Sequence, residues 1–441
     1  MELKEKIKSV ILAPLETGKD RMIGIELEDF IYDMKGRRLP VNPGSEYSAS
    51  DLLKNLIDLQ VDDKYKAYYS IEPGGQIEWA STPRRSLHDV QIELNSHQTR
   101  LNQLFTTNQL ETIDLAVEPI YLPSEIDFID HKKYKLMHEL FLRTGKHGPW
   151  MMRNTTSVQV NIDILSKTDA EEMAFLADCL TPFCVLMFAN GPFMAGKPAN
   201  NSNHRYNFWN DTDPSRCGDL FDHGIHSKDQ LLDKFVDIVL DAPSIFTVSA
   251  GNDIKKFDGS LKQWLQALDQ SDLLDEHKIN IALHQIFTHV RFKKHVLEVR
   301  GTDRPPTGFE MAPAAFWVGL LTVDTIRDQL GKIFSRWSVD ERKFSNANAC
   351  ILSPSSIGPT GKSMMEWINI FSILAIDGLK IRSESLHIDN EQDLFTPYLN
   401  MINERGIPAI FMQDDFDNDR KPLFEFLRAR SEEHTSELQS Q

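Results

Sequence analysis

The sequence contains little cysteine and no excess of positive charge. Its 441 residues include four cysteines, and none of them forms a CxxC pair or a metal-binding spacing. We therefore expect reduced thiols and a cytoplasmic location. Lys and Arg number 48 against 65 Asp and Glu, which gives a net charge of −17. A nucleic-acid partner would favour a basic face, so we expect none. Acidic residues remain compatible with a site for a Mg²⁺-nucleotide.

Long hydrophobic runs are also missing. The residues Met1 to Lys6 contain no apolar signal core or transit peptide, so neither secretion nor plastid targeting is expected. The two longest apolar stretches are 179–196 and 311–323. Pro182 interrupts the first, and the second is too short to span a bilayer. Both are typical of buried helices, and we expect no membrane partner.

The chain shows no internal repeat and no low-complexity linker, which predicts one large domain over residues 1–429. Residues 430–441 (RSEEHTSELQSQ) resemble the translation of a sequencing adapter, and we exclude this tail from the fold.

Several helix starts can be predicted from capping residues and apolar periodicity. Ser50 precedes one apolar stripe and Ser86 another. Capping boxes are predicted at Thr168 with Glu171 and at Ser227 with Gln230. Long helices are predicted at 311–337 and 363–381.

Four short segments alternate polar and apolar residues with a period of two, which is typical of antiparallel strands with one face on a core. The other face either meets bulk water or lines a cavity. Glu, Gln, Asn and Arg dominate it rather than Thr, Lys and Ser, which favours a cavity. Its polar residues are Glu26 and Glu28, Gln76 and Glu78, Gln159, Asn161 and Asp163, and Glu298 and Arg300.

Carboxylates that converge in one cavity repel each other by about 4 kcal/mol per pair at ~4 Å and an effective dielectric near 20. They must be partly protonated or hold cations. Oxygen ligands suit Mg²⁺ or Mn²⁺, and a nucleotide triphosphate is the expected companion. The alternative is that each Glu is a surface salt-bridge partner. The candidate metal ligands are Glu26, Glu28, Glu72, Glu78 and Glu298.

Two loops carry further signals. Residues 72–78 (EPGGQIE) place a Pro-Gly-Gly turn between two carboxylates, where backbone amides could approach a ligand. The alternative is a plain hairpin turn. Residues 203–216 combine Arg and Trp, a pairing common at oxyanion sites, although a solvated loop with a packing Trp is the alternative.

Residues 356–363 (SIGPTGKS) nearly match a phosphate-binding P-loop that would use Lys362. The first glycine is replaced by Ser356, and 353–355 (SPS) is a poor buried strand. The alternative is a loop that leads into an ordinary helix.

Six motifs follow the order seen in glutamate–cysteine ligases, and the chain resembles the plant and proteobacterial branch of that family over residues 15–425. The motifs are 24–28 (GIELE), 72–78 (EPGGQIE), 155–163 (TTSVQVNID), 189–193 (ANGPF), 205–216 (RYNFWNDTDPSR) and 297–303 (LEVRGTD). The resemblance implies an α+β, glutamine-synthetase-like fold in which helices surround a curved antiparallel sheet that forms a funnel. It also implies ATP-dependent ligation of the glutamate γ-carboxylate to the amine of cysteine through a γ-glutamyl phosphate, the first step of glutathione synthesis.

The resemblance also implies roles for individual residues. The five glutamates named above would bind Mg²⁺ (or Mn²⁺) around the phosphates of ATP. Gln159 and Asn161 would line the pocket. Arg205, Trp209 and Arg300 would hold substrate carboxylates or the transferred phosphoryl group, and Arg216 is a further candidate.

Three alternatives remain open: a related ligase that joins glutamate to another amine, a P-loop regulatory protein, and a non-catalytic scaffold. No cysteine pair matches the disulfides of plant members, and 304–306 (RPP) departs from the small residues expected there. The identity of the amine, feedback and redox regulation, and the oligomeric state are left open.

Overall fold

The computed structural model describes residues 2–12, 20–60, 66–249, 251, 253–419 and 421–430. The strands are β1 (Ile23–Asp33), β2 (Tyr68–Ile71), β3 (Ile77–Ala80), β4 (Leu110–Ile113), β5 (Val158–Asp163), β6 (Phe193–Met194), β7 (Lys197–Pro198), β8 (Cys217–Gly218), β9 (Thr247–Val248), β10 (Ile254–Lys255), β11 (Phe287–Thr288), β12 (Val290–Phe292) and β13 (Val296–Val299). The helices are α1 (Leu3–Leu12), α2 (Ala49–Leu59), α3 (Leu87–Asn108), α4 (Lys132–Thr144), α5 (Gly148–Arg153), α6 (Lys167–Met187), α7 (His204–Asn210), α8 (Leu231–Asp241), α9 (Leu261–Gln270), α10 (Glu276–Leu283), α11 (Ala312–Leu321), α12 (Asp324–Phe334), α13 (Val339–Ala349), α14 (Met364–Leu386), α15 (Thr396–Arg405) and α16 (Pro408–Asn418).

A seven-stranded sheet organises the molecule. Its strand order is β12-β13-β5-β1-β3-β2, and β4 pairs with the far end of β1. All these pairings are antiparallel, so the α+β class expected from the sequence is confirmed. Glu28 is the register partner of Glu78, and Glu26 is the partner of Gln159. Because directly opposed residues share a face, side chains far apart in sequence meet on one surface.

The opposite face of the sheet is apolar and carries the core. Ile25, Val160 and Leu297 are almost fully buried on β1, β5 and β13. Helix α11 packs against β5, and α6 packs against β12 and β13. Covering this face leaves the polar face to line a cavity, as the strand pattern favoured.

Two glycines allow helices α11 and α14 to pack closely against each other. Helices α11 and α14 pack against each other, and Gly319 faces Gly378 where they cross. A Cβ on Gly378 would overlap the carbonyl oxygen of Gly319. The backbone approach therefore depends on the absence of both side chains.

The helix positions were predicted well and their first residues less well. Ser86 caps α3 as expected. The hydroxyl of Ser48, not Ser50, caps α2, and Ser166 rather than Thr168 accepts the Asp169 amide at the start of α6. Helix α8 begins after Gln230, whose own backbone is in the left-handed region. The predicted capping box of Ser227 and Gln230 is not found there.

The predicted helix 311–337 is two helices. Val323 adopts an extended conformation between α11 and α12, which separates the fully buried helix from the amphipathic one. The predicted helix 363–381 is confirmed as α14, capped by Ser363. Among the described residues, no helix combines the length and apolarity needed to cross a membrane.

Residues 431–441 of the predicted adapter tail lie outside the described residues. The single domain over 1–429 stays a prediction. All four cysteines are free, and Cys179, Cys184 and Cys217 are buried.

Candidate active site

A cavity of about 650 Å³ lies on the polar face of the sheet. Four of the five predicted carboxylates line it: Glu26, Glu28, Glu72 and Glu78. Apolar side chains line it as well, among them Met137, Met151, Ile245, Phe246 and Ile281. The cavity therefore combines charged and apolar walls.

Among the described residues, Glu28, Glu72 and Glu78 have no ion-pair partner within 4 Å, whereas Glu26 pairs with Lys293 at 3.1 Å. Burial, with repulsion from Glu72, raises the pKa of Glu28 to about 7. Burial and the charges of Glu26, Glu72 and Glu28 raise the pKa of Glu78 well above its usual range, and burial also raises the pKa of Glu72. The Ser70 hydroxyl donates a hydrogen bond of 2.6 Å to Glu78. Carboxylate oxygens are the ligand type that a hard divalent ion prefers, and such an ion would offset their mutual repulsion.

Glu298 has a different environment from the other four. It is fully buried; Arg291 and Arg300 donate to its Oε2, and the Lys293 ammonium lies 2.6 Å from its Oε1. Although burial opposes its charge, these three cations hold the pKa of Glu298 well below its usual range. A divalent ion on Glu298 would have to displace at least one of them. In the described part of the chain, no three His, Cys, Asp or Glu side chains are arranged to hold a metal, so the five-ligand set stays a prediction.

Two amides on β5 orient the carboxylates of β1. Gln159 lines the cavity, donates 3.0 Å to Glu28 Oε1 and accepts a hydrogen bond from Arg300. Asn161 donates 3.0 Å to Glu26 Oε1. Asn161 is not among the residues that line the cavity, so its predicted place in the pocket lining stays a prediction.

Arg300 and Trp209 both line the cavity, and the guanidinium lies 5.4 Å from the centre of the indole ring. This stacking, together with Glu298 and Gln159, fixes the guanidinium at the cavity wall. A held guanidinium is suited to bind a carboxylate or a phosphoryl group with two hydrogen bonds.

The structure does not bring Arg205 or Arg216 to the cavity wall. Arg205 is buried, donates to the carbonyl oxygens of Gly301 (3.0 Å) and Arg300 (3.2 Å), and lies 3.6 Å from Asp303. It supports the backbone of Gly301 and Arg300 and is not among the residues that line the cavity. Arg216 is fully buried, and Asp213, three residues earlier, compensates its charge at 2.7 Å. We predicted that both arginines contact substrate. In the structure their contacts are instead with the protein itself.

The EPGGQIE segment is a hairpin turn between β2 and β3. Gly75, at φ +84°, donates to the Glu72 carbonyl over 2.9 Å, and Gly74 donates to the Gln76 side chain over 3.0 Å. These amides are used within the turn, so the plain hairpin is confirmed and amide binding of a ligand is not. The turn places Glu72 and Glu78 at the cavity.

The P-loop alternative is wrong. Residues Pro359–Gly361 form a short 3-10 turn, and Lys362 is exposed. A turn at Ser353–Ser356 stands where a buried strand is needed. The segment is the loop that leads into α14.

Several polar residues of the cavity were missed, among them Arg291, Lys293, Lys133 and Tyr134. Arg291 and Lys293 come from β12 and the turn after it, and Lys133 and Tyr134 come from the start of α4. Residues 290–293 (VRFK) alternate with a period of two, as the four selected segments do, and that signal places Arg291 and Lys293 on one face. No local signal marks α4, which reaches the cavity only through the tertiary fold.

Comparison with known proteins agrees with this geometry. The family described as "Glutamate-cysteine ligase family 2 (GCS2)" matches residues 22–363. The chloroplastic glutamate–cysteine ligase A of Oryza sativa subsp. indica is 28% identical over 360 residues, which cover 77% of this chain and 71% of the relative. The chloroplastic glutamate–cysteine ligase of Arabidopsis thaliana is 30% identical over 284 residues, 63% of this chain and 53% of the relative.

A solved structure supports the fold. The bifunctional glutathione synthetase of Pasteurella multocida superposes with a TM-score of 0.51 at 12% identity, covering 98% of this chain and 55% of that chain. At this identity the likeness concerns the fold alone. The family match extends over most of the sequence, and the chain therefore belongs to glutamate-cysteine ligase family 2.

Proposed function

We propose that the cavity joins the γ-carboxylate of glutamate to the amine of cysteine in a reaction driven by ATP. One observation carries the proposal beyond family membership: a group of carboxylates lines the same cavity as a fixed guanidinium, that of Arg300. The first group suits cation-bound phosphates, and the second suits the carboxylate or phosphoryl group that reacts.

The reaction needs activation because a carboxylate is a poor electrophile. An oxygen of the glutamate γ-carboxylate attacks the γ-phosphorus of ATP, and ADP leaves with the electron pair of the broken P–O bond. The amine then attacks the acyl phosphate, loses a proton and releases inorganic phosphate as the amide forms. Neither step requires a covalent bond to the enzyme.

Glu26, Glu28, Glu72 and Glu78 are the residues that would hold Mg²⁺ or Mn²⁺. A divalent ion bound there would offset the charge of the phosphates during transfer. Burial and repulsion between the carboxylates raise the pKa of Glu28 and Glu78, and a bound cation would relieve the repulsion, which supports this assignment.

Arg300 is the residue that would meet the transferred phosphoryl group or the substrate carboxylate. Its guanidinium is held by Glu298, Gln159 and Trp209, so little reorganisation is needed when charge develops. The cytoplasmic location expected from the sequence stays a prediction.

The amine is tested by ADP release with glutamate, ATP and Mg²⁺ plus a panel of amines, with mass detection of the product. Cysteine should raise ADP release above the amine-free control and yield γ-glutamylcysteine. If another amine does so and cysteine does not, the chain is a related carboxylate–amine ligase instead.

A further inference from the structure

Lys293 occupies an unusual position between two carboxylates of the cavity. It directly follows β12, and its backbone amide donates 3.0 Å to the Val296 carbonyl, which closes the tight turn into β13. Its side chain lies on the same face as Arg291, two residues earlier, and lines the cavity. About 15% of the side chain is exposed, so the ammonium borders the site rather than the core.

The Lys293 ammonium bridges strands that are not adjacent. Its Nζ lies 2.6 Å from Glu298 Oε1 on β13 and 3.1 Å from Glu26 Oε1 on β1. Strand β5 separates these two strands. The Lys293 side chain therefore extends over β5 and contacts carboxylates of both flanking strands.

The two carboxylates depend on Lys293 to different extents. Glu298 also has Arg291 and Arg300 on its other oxygen, and it stays compensated without the lysine. Glu26 receives a neutral amide bond from Asn161, and among the described residues Lys293 is its one cation within ion-pair distance. A divalent ion that binds Glu26 would therefore share one carboxylate with the Lys293 ammonium, and the two cations would repel each other.

We propose that Lys293 is an exchangeable counter-ion: it compensates Glu26 before substrates bind, releases Glu26 when a divalent ion arrives, and then donates to a phosphate of the nucleotide. The inference rests on the proposed function. An ammonium on a flexible four-carbon stem can turn between partners, whereas a forked guanidinium is more constrained. Its three N–H donors suit phosphate oxygens, and a short rotation keeps it within the same cavity.

Opposite effects on two binding steps distinguish this role from a structural one. Lys293→Met removes the charge and keeps most of the length. Without nucleotide, calorimetric titration with Mn²⁺ should give a dissociation constant about tenfold lower than that of the wild type, because the competing cation is gone. With saturating Mn²⁺, the dissociation constant of ATP should rise about tenfold, because a phosphate contact is lost.

Lys294→Met is the matched control. Lys294 is the next residue, has 40% of its side chain exposed and pairs with Glu276 outside the cavity. Both dissociation constants should stay within about twofold of the wild type. Lys293→Arg, which keeps the charge, should bind Mn²⁺ alone with wild-type affinity, and it serves as the second variant if Lys293→Met does not fold.

The proposal is overturned if Lys293→Met weakens both ligands together or leaves Mn²⁺ binding unchanged, since the lysine is then only a tether. It is also overturned if the wild type binds no Mn²⁺ without nucleotide. Neither result depends on product formation, so failure of the ligation reaction itself would be seen separately, in the ADP and mass assays.

Discussion

Gln159 on β5 donates a hydrogen bond of 3.0 Å from its side-chain amide to Glu28 on β1, two residues along that strand from its register partner Glu26. The same side chain accepts a hydrogen bond from Arg300. One amide therefore joins a cavity carboxylate to the guanidinium proposed to act in transfer. A carboxylate in its place would keep the second bond and lose the first.

Gln159→Glu should lower turnover about tenfold or more. The new carboxylate would repel Glu28 and draw Arg300 toward itself, at a cost of about 1–3 kcal/mol for the lost donor. Steady-state ADP release measures the effect. Gln91→Glu is the control. Gln91 lies on α3, and among the described residues its side chain donates a hydrogen bond to its helix neighbour Asn95 alone. Equal turnover in both variants would remove Gln159 from the active site.

Lys362→Ala should leave nucleotide binding unchanged. Lys362 is exposed on the loop before α14, outside the cavity. Equilibrium titration with ATP and Mg²⁺ compares the variant with the wild type. A loss of more than about tenfold would show that the loop at 356–363 binds phosphate despite its geometry.

Gly378→Ala should destabilise the protein by about 3 kcal/mol, because the new methyl group overlaps the Gly319 carbonyl where α11 and α14 cross. Gly331→Ala is the control. Gly331 is an exposed residue inside α12 with nothing near an added Cβ, so this change should stabilise the helix by up to about 1 kcal/mol. Chemical unfolding measures the change in unfolding free energy of each variant, and the two changes should have opposite signs. Equal changes would contradict the helix contact.

Asp303 should make stability fall with rising pH. Its carboxyl accepts the Asn190 amide and lies 3.6 Å from Arg205; burial raises its pKa to about 6 despite that arginine. The folded state thus keeps a proton that the unfolded state, with a pKa near 3.9, releases. The stabilisation is complete below about pH 4 and lost as pH rises through about 6, at most about 3 kcal/mol.

Asp303→Asn removes this titration. Between pH 4 and 7 the wild type should lose more unfolding free energy than the variant, as measured by urea unfolding at several pH values. Parallel pH profiles would show that Asp303 is ionised throughout that range in the folded protein.

The sequence predicted the polar sheet face because a period-two pattern is a local property of each strand. It also predicted that Glu26, Glu28 and Glu78 would share a site, which their strand register explains. It failed at Arg205 and Arg216, since their partners Asp303 and Asp213 become visible only when burial is known. The ion pairs of Glu298 were missed for a related reason: Arg291 opposes it across a hairpin that was not predicted.

The most direct test of the account compares ADP and γ-glutamylcysteine formation by the wild type, Glu78→Gln and Glu404→Gln. Glu78 faces the cavity, whereas Glu404 is exposed at the end of α15. The account predicts product from the wild type and from Glu404→Gln, and a fall of about 100-fold or more for a folded Glu78→Gln. Full activity in Glu78→Gln would contradict the claim that the carboxylates of this sheet face carry the reaction.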